Sequence, residues 1–126
     1  MSKDELYCTD CKKVTKHNQK LSAVISGYMV CDKCSKMNGF CSLLKVGDEQ
    51  FQKHSRGIRW VEFEDGLGKE VHTEPKIGYS LIMSPFGLSF TWMTTSVTEI
   101  IEQSENYIHF KTENSEYKLY YNPQDV

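Results

Sequence analysis

The chain has 126 residues, 39% of them apolar and 25% charged, with a formal charge of −2 and a sequence pI near 6.1. That length suits one modest domain or a metal-held module beside a small core, and the composition excludes both a disordered tail and a domain that grips nucleic acid by net charge alone. No run of about eighteen apolar residues exists, and Met1-Ser2-Lys3-Asp4-Glu5 is polar where a secretory signal is basic and then apolar, so a cytoplasmic protein without a membrane span is expected.

Charge is unevenly placed. Residues 1–57 carry ten Lys/Arg against six Asp/Glu, and residues 58–126 carry five against eleven. The halves either face different partners or each other, or are two solvated surfaces of opposite sign.

Within residues 1–40, Cys8-Thr9-Asp10-Cys11 and Cys31-Asp32-Lys33-Cys34 are separated by nineteen residues. Each short pair can turn two sulfurs toward one ion, so Cys8, Cys11, Cys31 and Cys34 are expected to ligate zinc. All five cysteines lie in the first 41 residues and their number is odd, which in a reducing compartment favours thiolate–metal bonds over disulfides. Four cysteines close a tetrahedral shell, so the ion is read as structural; an open shell would require one cysteine to be absent from it, and His17 or Cys41 could then take that place. Cys41 otherwise reads as a small apolar residue packed at the join, with a reactive thiol as the alternative. Leu21–Ile25 and Tyr28-Met29-Val30 are expected as strands around a Ser26-Gly27 turn.

These four cysteines resemble the ligand set of the zinc-ribbon superfamily. Many of its members have glycine after the second cysteine of each knuckle, where the backbone turns sharply; here those places hold Lys12 and Ser35. The resemblance implies a zinc-ribbon fold, which serves transcription factors, ribosomal proteins, polymerase subunits and adaptors alike.

Residues 41–57 are read as a connector. Leu43, Leu44 and Phe51 can pack between the halves, while Gly47 and the polar run from Asp48 argue against one long helix but allow a short one. From Ile58 the pattern becomes β. Ile58–Glu64 ends at an Asp65-Gly66 turn, with Lys69–Thr73 returning as its partner. Gly78–Met83 and Leu88–Met93 flank Ser84-Pro85-Phe86-Gly87. Val97–Gln103 fits either period, and its β-branched residues favour a strand. Ile108, Phe110 and Thr112 alternate with Tyr107, His109 and Lys111, and Tyr117, Leu119 and Tyr121 with Glu116, Lys118 and Tyr120. Residues 58–126 are therefore expected to form a small antiparallel barrel or strongly bent sheet of the SH3-like kind, making the whole chain mostly β.

The stretch Thr95-Ser96-Val97-Thr98-Glu99-Ile100-Ile101, followed by Phe110-Lys111-Thr112-Glu113-Asn114-Ser115-Glu116-Tyr117-Lys118-Leu119, resembles a pattern in short β-rich proteins of bacteriophages and mobile elements. The resemblance implies a small phage-encoded accessory or host-directed protein.

No HExxH, GxSxG or P-loop pattern accompanies the scattered histidines, and no nucleophile, base and phosphate cradle assemble, so no enzymatic activity is expected. Two binding readings remain. In the first, the acidic half meets a host protein with a basic surface, through Glu62, Glu64, Asp65, Glu70 and Tyr120, that partner belonging to the host's nucleic-acid machinery or its defences. In the alternative, Lys12, Lys13, Lys16, His17 and Lys20 contact nucleic-acid phosphates while Tyr28 stacks on a base. The plainer accounts are a solvated lysine loop, ordinary strand exteriors, and Trp60 and Trp92 as core fillers.

Overall fold

The computed structural model describes residues 4–18, 28–55, 57–84 and 92–122, with Tyr28 and Ser84 described by backbone alone. Among these, twelve strands form two antiparallel sheets. The first holds β1 (Glu5–Cys8), β2 (Lys13–Asn18), β3 (Tyr28–Cys31) and β4 (Met37–Gly39), in that spatial order. The second contains β5 (Cys41–Lys45), β6 (Asp48–Ser55), β7 (Gly57–Glu64), β8 (Leu67–His72), β9 (Tyr79–Ser84), β10 (Trp92–Ser104), β11 (Tyr107–Thr112) and β12 (Glu116–Tyr121). Its spatial order is β6-β5-β12-β11-β10-β9-β7-β8. No helix among the described residues is long and apolar enough to cross a membrane.

Period-two alternation explains the later strands. Ile108, Phe110 and Thr112 of β11 and Tyr117 and Leu119 of β12 are buried while their alternates lie toward solvent, and Ile108 sits opposite Leu119 in register. With Leu43, Trp60, Leu81, Met83 and Val97, the side chains of Ile108, Phe110, Tyr117 and Leu119 make one core, each full apolar burial stabilising by about 1.5–3 kcal/mol. Trp60 is a core residue, 2% exposed, with its ring edge-on to Phe110 at 5.6 Å. The Asp65-Gly66 hairpin forms as its sequence dictates: both residues take left-handed backbone angles, φ 53° and 80°, and Glu64 faces Leu67. Val97–Gln103 lies within β10, while the expected Leu21–Ile25 strand and most of Leu88–Met93 fall outside the described residues.

Two expectations need correction. The large sheet is not closed into an SH3-like barrel. Register shifts along β10, between Met93 and Ser96 and again on either side of Ile100, bend that strand and curl the sheet until Phe51 of β6 meets Trp92 at 5.7 Å and Tyr117 at 5.8 Å. Among the described residues no hydrogen-bonded ladder joins β6 to β9 or β10, and the β7–β8 hairpin extends the sheet past that seam. Nor do residues 41–55 form a helix: they are β5 and β6, joined at Gly47 with φ 89°. The alternation of β5 was masked because Cys41, Ser42 and Leu43 are all buried, Leu43 under the core and Ser42 under the first sheet.

The two sheets meet closely at the chain's turn from β4 into β5. The Gly39 N–H donates to His54 Nδ1 at 3.2 Å, Asn122 donates through its backbone to Phe40 O and through its side chain to Glu5 O, and Tyr7 stacks on Tyr120 with centroids 3.7 Å apart. A Cβ at Gly39 would lie 2.8 Å from the His54 Cβ and 2.9 Å from the Ser55 N, neither of which can swing away. Gly39→Ala is expected to destabilise by about 1–3 kcal/mol through overpacking, read as a fall in the denaturant midpoint. An unchanged midpoint would show that the junction yields freely.

Burial, reinforced by the nearby Lys36 charge, lowers the His54 pKa to about 4, so its Nδ1 stays neutral and accepts from Gly39 and Ser42. Unfolded, the same ring takes a proton below about pH 6.5. Its contribution is therefore fully present above about pH 6.5 and lost as pH falls toward 4, at about 1.4 kcal/mol per unit and about 3 kcal/mol in all. Comparing wild type with His54→Gln from about pH 7 to about pH 4.5 separates this slope from ion loss, which both proteins share; equal slopes would sink the assignment.

Candidate metal centre

Both cysteine pairs sit where a strand of the first sheet ends. Cys8 closes β1 and Cys31 closes β3, and each is followed by a tight turn to Cys11 or Cys34. Lys12 N–H returns to Cys8 O at 2.8 Å and Ser35 N–H to Cys31 O at 2.9 Å, while the Cys11 N–H points at the Cys8 sulfur from 3.4 Å. The turns place Lys12 at φ 56° and Ser35 at φ 65°, the two positions where zinc ribbons often have glycine. Holding a side chain there costs about 1–2 kcal/mol each.

The four ligand sulfurs lie within 4.8 Å of one another, with Cys8–Cys34 at 3.5 Å and Cys11–Cys31 at 3.9 Å. Tetrahedral thiolates about 2.3 Å from a zinc ion stand about 3.8 Å apart, so the cluster fits that geometry, and disulfide bonds of about 2.05 Å do not describe it. The sulfurs cannot all ionise unaided. The neighbouring Cys34 sulfur, with partial burial and the other two sulfurs, pushes Cys11 up to about 12. Burial pushes Cys31 upward too, but the Thr15 hydroxyl and the N–H groups of Cys34 and Lys33 outweigh it and bring Cys31 down to about 6. A dication among them removes the repulsion between thiolates.

Behind the sulfurs runs a buried polar network. The Thr15 hydroxyl meets Cys31 Sγ at 3.0 Å, Thr15 O faces His17 Nδ1 at 2.9 Å, and His17 Nε2 faces Asn38 Nδ2 at 2.9 Å. Because a carbonyl only accepts, the His17 proton belongs on Nδ1 and Nε2 accepts from Asn38. Burial lowers the His17 pKa, in keeping with a neutral ring. Asn38 Oδ1 in turn accepts from the Thr9 N–H and hydroxyl, both at 3.2 Å. Such partners orient metal ligands.

Sequence reasoning missed Thr9, Thr15 and Asn38 and misplaced His17, which is 3% exposed and does not belong to the basic surface. The signal was an inverted strand: β2 buries Thr15 and His17 while Val14 stands 42% exposed. Lys12, Lys13 and Lys16 are exposed; Lys20 lies outside the described residues, as does the Tyr28 ring.

Of the acidic set, Glu62 and Glu70 face each other across β7 and β8, with Glu64 and Asp65 at the hairpin's end. Lys69 bridges Glu62 at 3.5 Å and Glu64 at 3.3 Å, and His72 Nε2 meets Glu62 at 3.0 Å, which with Lys69 lowers the Glu62 pKa. Glu62, Glu70 and His72 also have ligand atoms within 4.8 Å of one another, but Lys69 already neutralises part of that charge. Tyr120 is not among them: β11, β10 and β9 separate it from β7, and it is stacked on Tyr7.

A cleft of about 460 Å³ opens between the first cysteine turn and β5, β6 and β12. Fold and centre together define an all-β protein whose four-cysteine cluster, set on N-terminal hairpins, is consistent with a zinc ribbon. No family model, curated protein or solved structure matches the chain.

Proposed function

We infer that the chain is a non-enzymatic, cytoplasmic binding module in which a structural zinc ion holds the ribbon, and that it acts by contact with a host protein bearing a basic surface. Four thiolates complete a tetrahedral shell and leave no position for substrate, which supports a structural role for the ion. The observation carrying the partner reading is the β7–β8 hairpin, where Leu67 and Val71 stand 73% and 60% exposed among Glu62, Glu64, Asp65 and Glu70. Exposed apolar side chains on a hairpin whose four carboxylates outnumber Lys69, its one lysine, suit a protein contact whose outer charges steer a basic partner. Lys69 and the bulge opposite Glu62 and Phe63 blunt the β8 edge against strand pairing, so the contact is made by side chains. The bacteriophage-like pattern of residues 95–119 supports a target among host nucleic-acid machinery or defence proteins.

The test is capture from host lysate, with and without nuclease, by wild type and by a Glu64→Lys, Glu70→Lys variant. Both carboxylates are more than half exposed, so the variant keeps its fold. Nuclease-resistant capture that the variant loses supports this reading. Nuclease-sensitive capture would favour the alternative of nucleic-acid contact through Lys12, Lys13 and Lys16, and capture unchanged in the variant would remove the hairpin.

A further inference from the structure

The cleft beside the first cysteine turn lies toward the opposite end of the sheet from the acidic hairpin, and its chemistry differs from the hairpin's. Its floor follows from the register: on the outer face of the sheet, Leu44 has Lys118 of β12 on one side and Gln52 of β6 on the other. The next row toward the ribbon, Tyr120, Ser42 and His54, is covered by Tyr7 and Gly39, so the ribbon roofs part of this face and leaves the Leu44 row open. Its volume, about 460 Å³, falls in the range of ligand sites.

The lining carries Lys12, Lys45 and Lys118 together with Asp10, Asp48 and Glu49, and no ion pair within 4 Å joins any two of them among the described residues. Lys45 instead stands over the Phe51 ring, 5.8 Å from its centroid. Balanced, unpaired charges of both signs around an apolar strip fit a ligand that also carries both signs. A nucleic-acid strand, anionic along its whole length, would gain from the lysines but be repelled by the three carboxylates. Residues from both faces of β6, Asp48, Glu49, Phe51 and Gln52, line the cleft, so it wraps that strand's edge. β6 ends the sheet on this side, and among the described residues its outer backbone groups have no ladder partner. A peptide backbone can use such groups; a sugar-phosphate backbone offers no matching row of donors and acceptors.

We propose that this cleft binds a short extended peptide segment carrying both basic and acidic side chains about an aliphatic residue seated on Leu44. The inference is independent of the hairpin contact, since the two surfaces share no residue, and variants at one leave the other intact.

The probe is a capped hexapeptide alternating lysine, leucine and glutamate, titrated to about 1 mM into isotopically labelled, zinc-loaded protein and followed by amide shifts. Saturable shifts at Leu44, Gln52 and Lys118 are expected, with β8 unaffected. Lys118→Glu should weaken binding about fivefold, the effect of losing one exposed charge contact. Val46→Asp at the rim, where the side chain is already 45% exposed, should weaken it without disturbing the fold. Absence of shifts would overturn the proposal. So would equal binding by an all-glutamate hexapeptide, or by a thymidine hexanucleotide, the latter assigning the cleft to nucleic acid.

Discussion

Removing the ion with a strong chelator is expected to unfold residues 4–18 and 28–40 while the eight-stranded sheet remains assembled. The ribbon's own apolar cluster consists of Leu6, Met29 and Phe40, too little to offset the entropy of ordering about thirty residues at roughly 1–2 kcal/mol each. Zinc binding in small modules supplies roughly 10–16 kcal/mol, which becomes folding energy because the site does not exist in the unfolded chain. The two left-handed residues, Lys12 and Ser35, and the mutual repulsion of the sulfurs add costs that only the ion offsets. The large sheet has its own core, from Leu43 to Leu119, and should keep amide protection in β10, β11 and β12. Losing the Tyr7 and Gly39 contacts should nevertheless lower its stability. Amide spectra before and after chelation decide the matter: a ribbon whose signals do not collapse would refute metal-dependent folding, and collapse of both sheets together would show one cooperative unit.

Asn38→Ala is expected to cost about 3–5 kcal/mol in the zinc-loaded protein, as much as truncating a large core side chain. Asn38 is wholly buried and serves four groups at once: the N–H and hydroxyl of Thr9, His17 Nε2 and Lys36 O. Truncation leaves the Thr9 donors and the His17 acceptor without their partner in a site water does not reach, at about 1–3 kcal/mol for each buried group. It also releases the ring that positions Thr15 behind Cys31, so metal affinity should fall about 10- to 100-fold. Met37→Ala next door, at a side chain 49% exposed, should stay within about 0.5 kcal/mol. Chemical denaturation and competition with a zinc indicator measure the two effects. A loss below about 1 kcal/mol at Asn38 would mean that the network relaxes around the gap.

Both predictions turn on residues whose chemistry was legible to different degrees. The cysteine cluster was readable because two residues between cysteines confine both sulfurs to one turn, a constraint local to the chain. Asn38 and His17 were not, because a polar side chain in a lysine-rich stretch looks solvated until another strand covers it. The ribbon's interior inverts the usual rule: the Thr15 hydroxyl faces the Cys31 sulfur and His17 links Thr15 O to Asn38, so Thr15 and His17 turn inward and Val14 outward. The acidic residues of the β7–β8 hairpin were brought together as the Asp65-Gly66 turn implied, whereas Tyr120 was separated from them by strand order alone.

By itself, then, the amino-acid sequence determined the features that depend on neighbours along the chain: the paired cysteines, the Asp65-Gly66 hairpin, and the alternating faces of β11 and β12. Only the tertiary structure decided what depends on which faces are covered. It made residues 41–55 two strands because core and ribbon bury β5 from both sides, and it left the large sheet open because β6 meets β10 through Phe51 and Trp92 with no ladder between them. It also placed the cleft at Leu44 beside the ribbon, where the roof formed by Tyr7 and Gly39 ends.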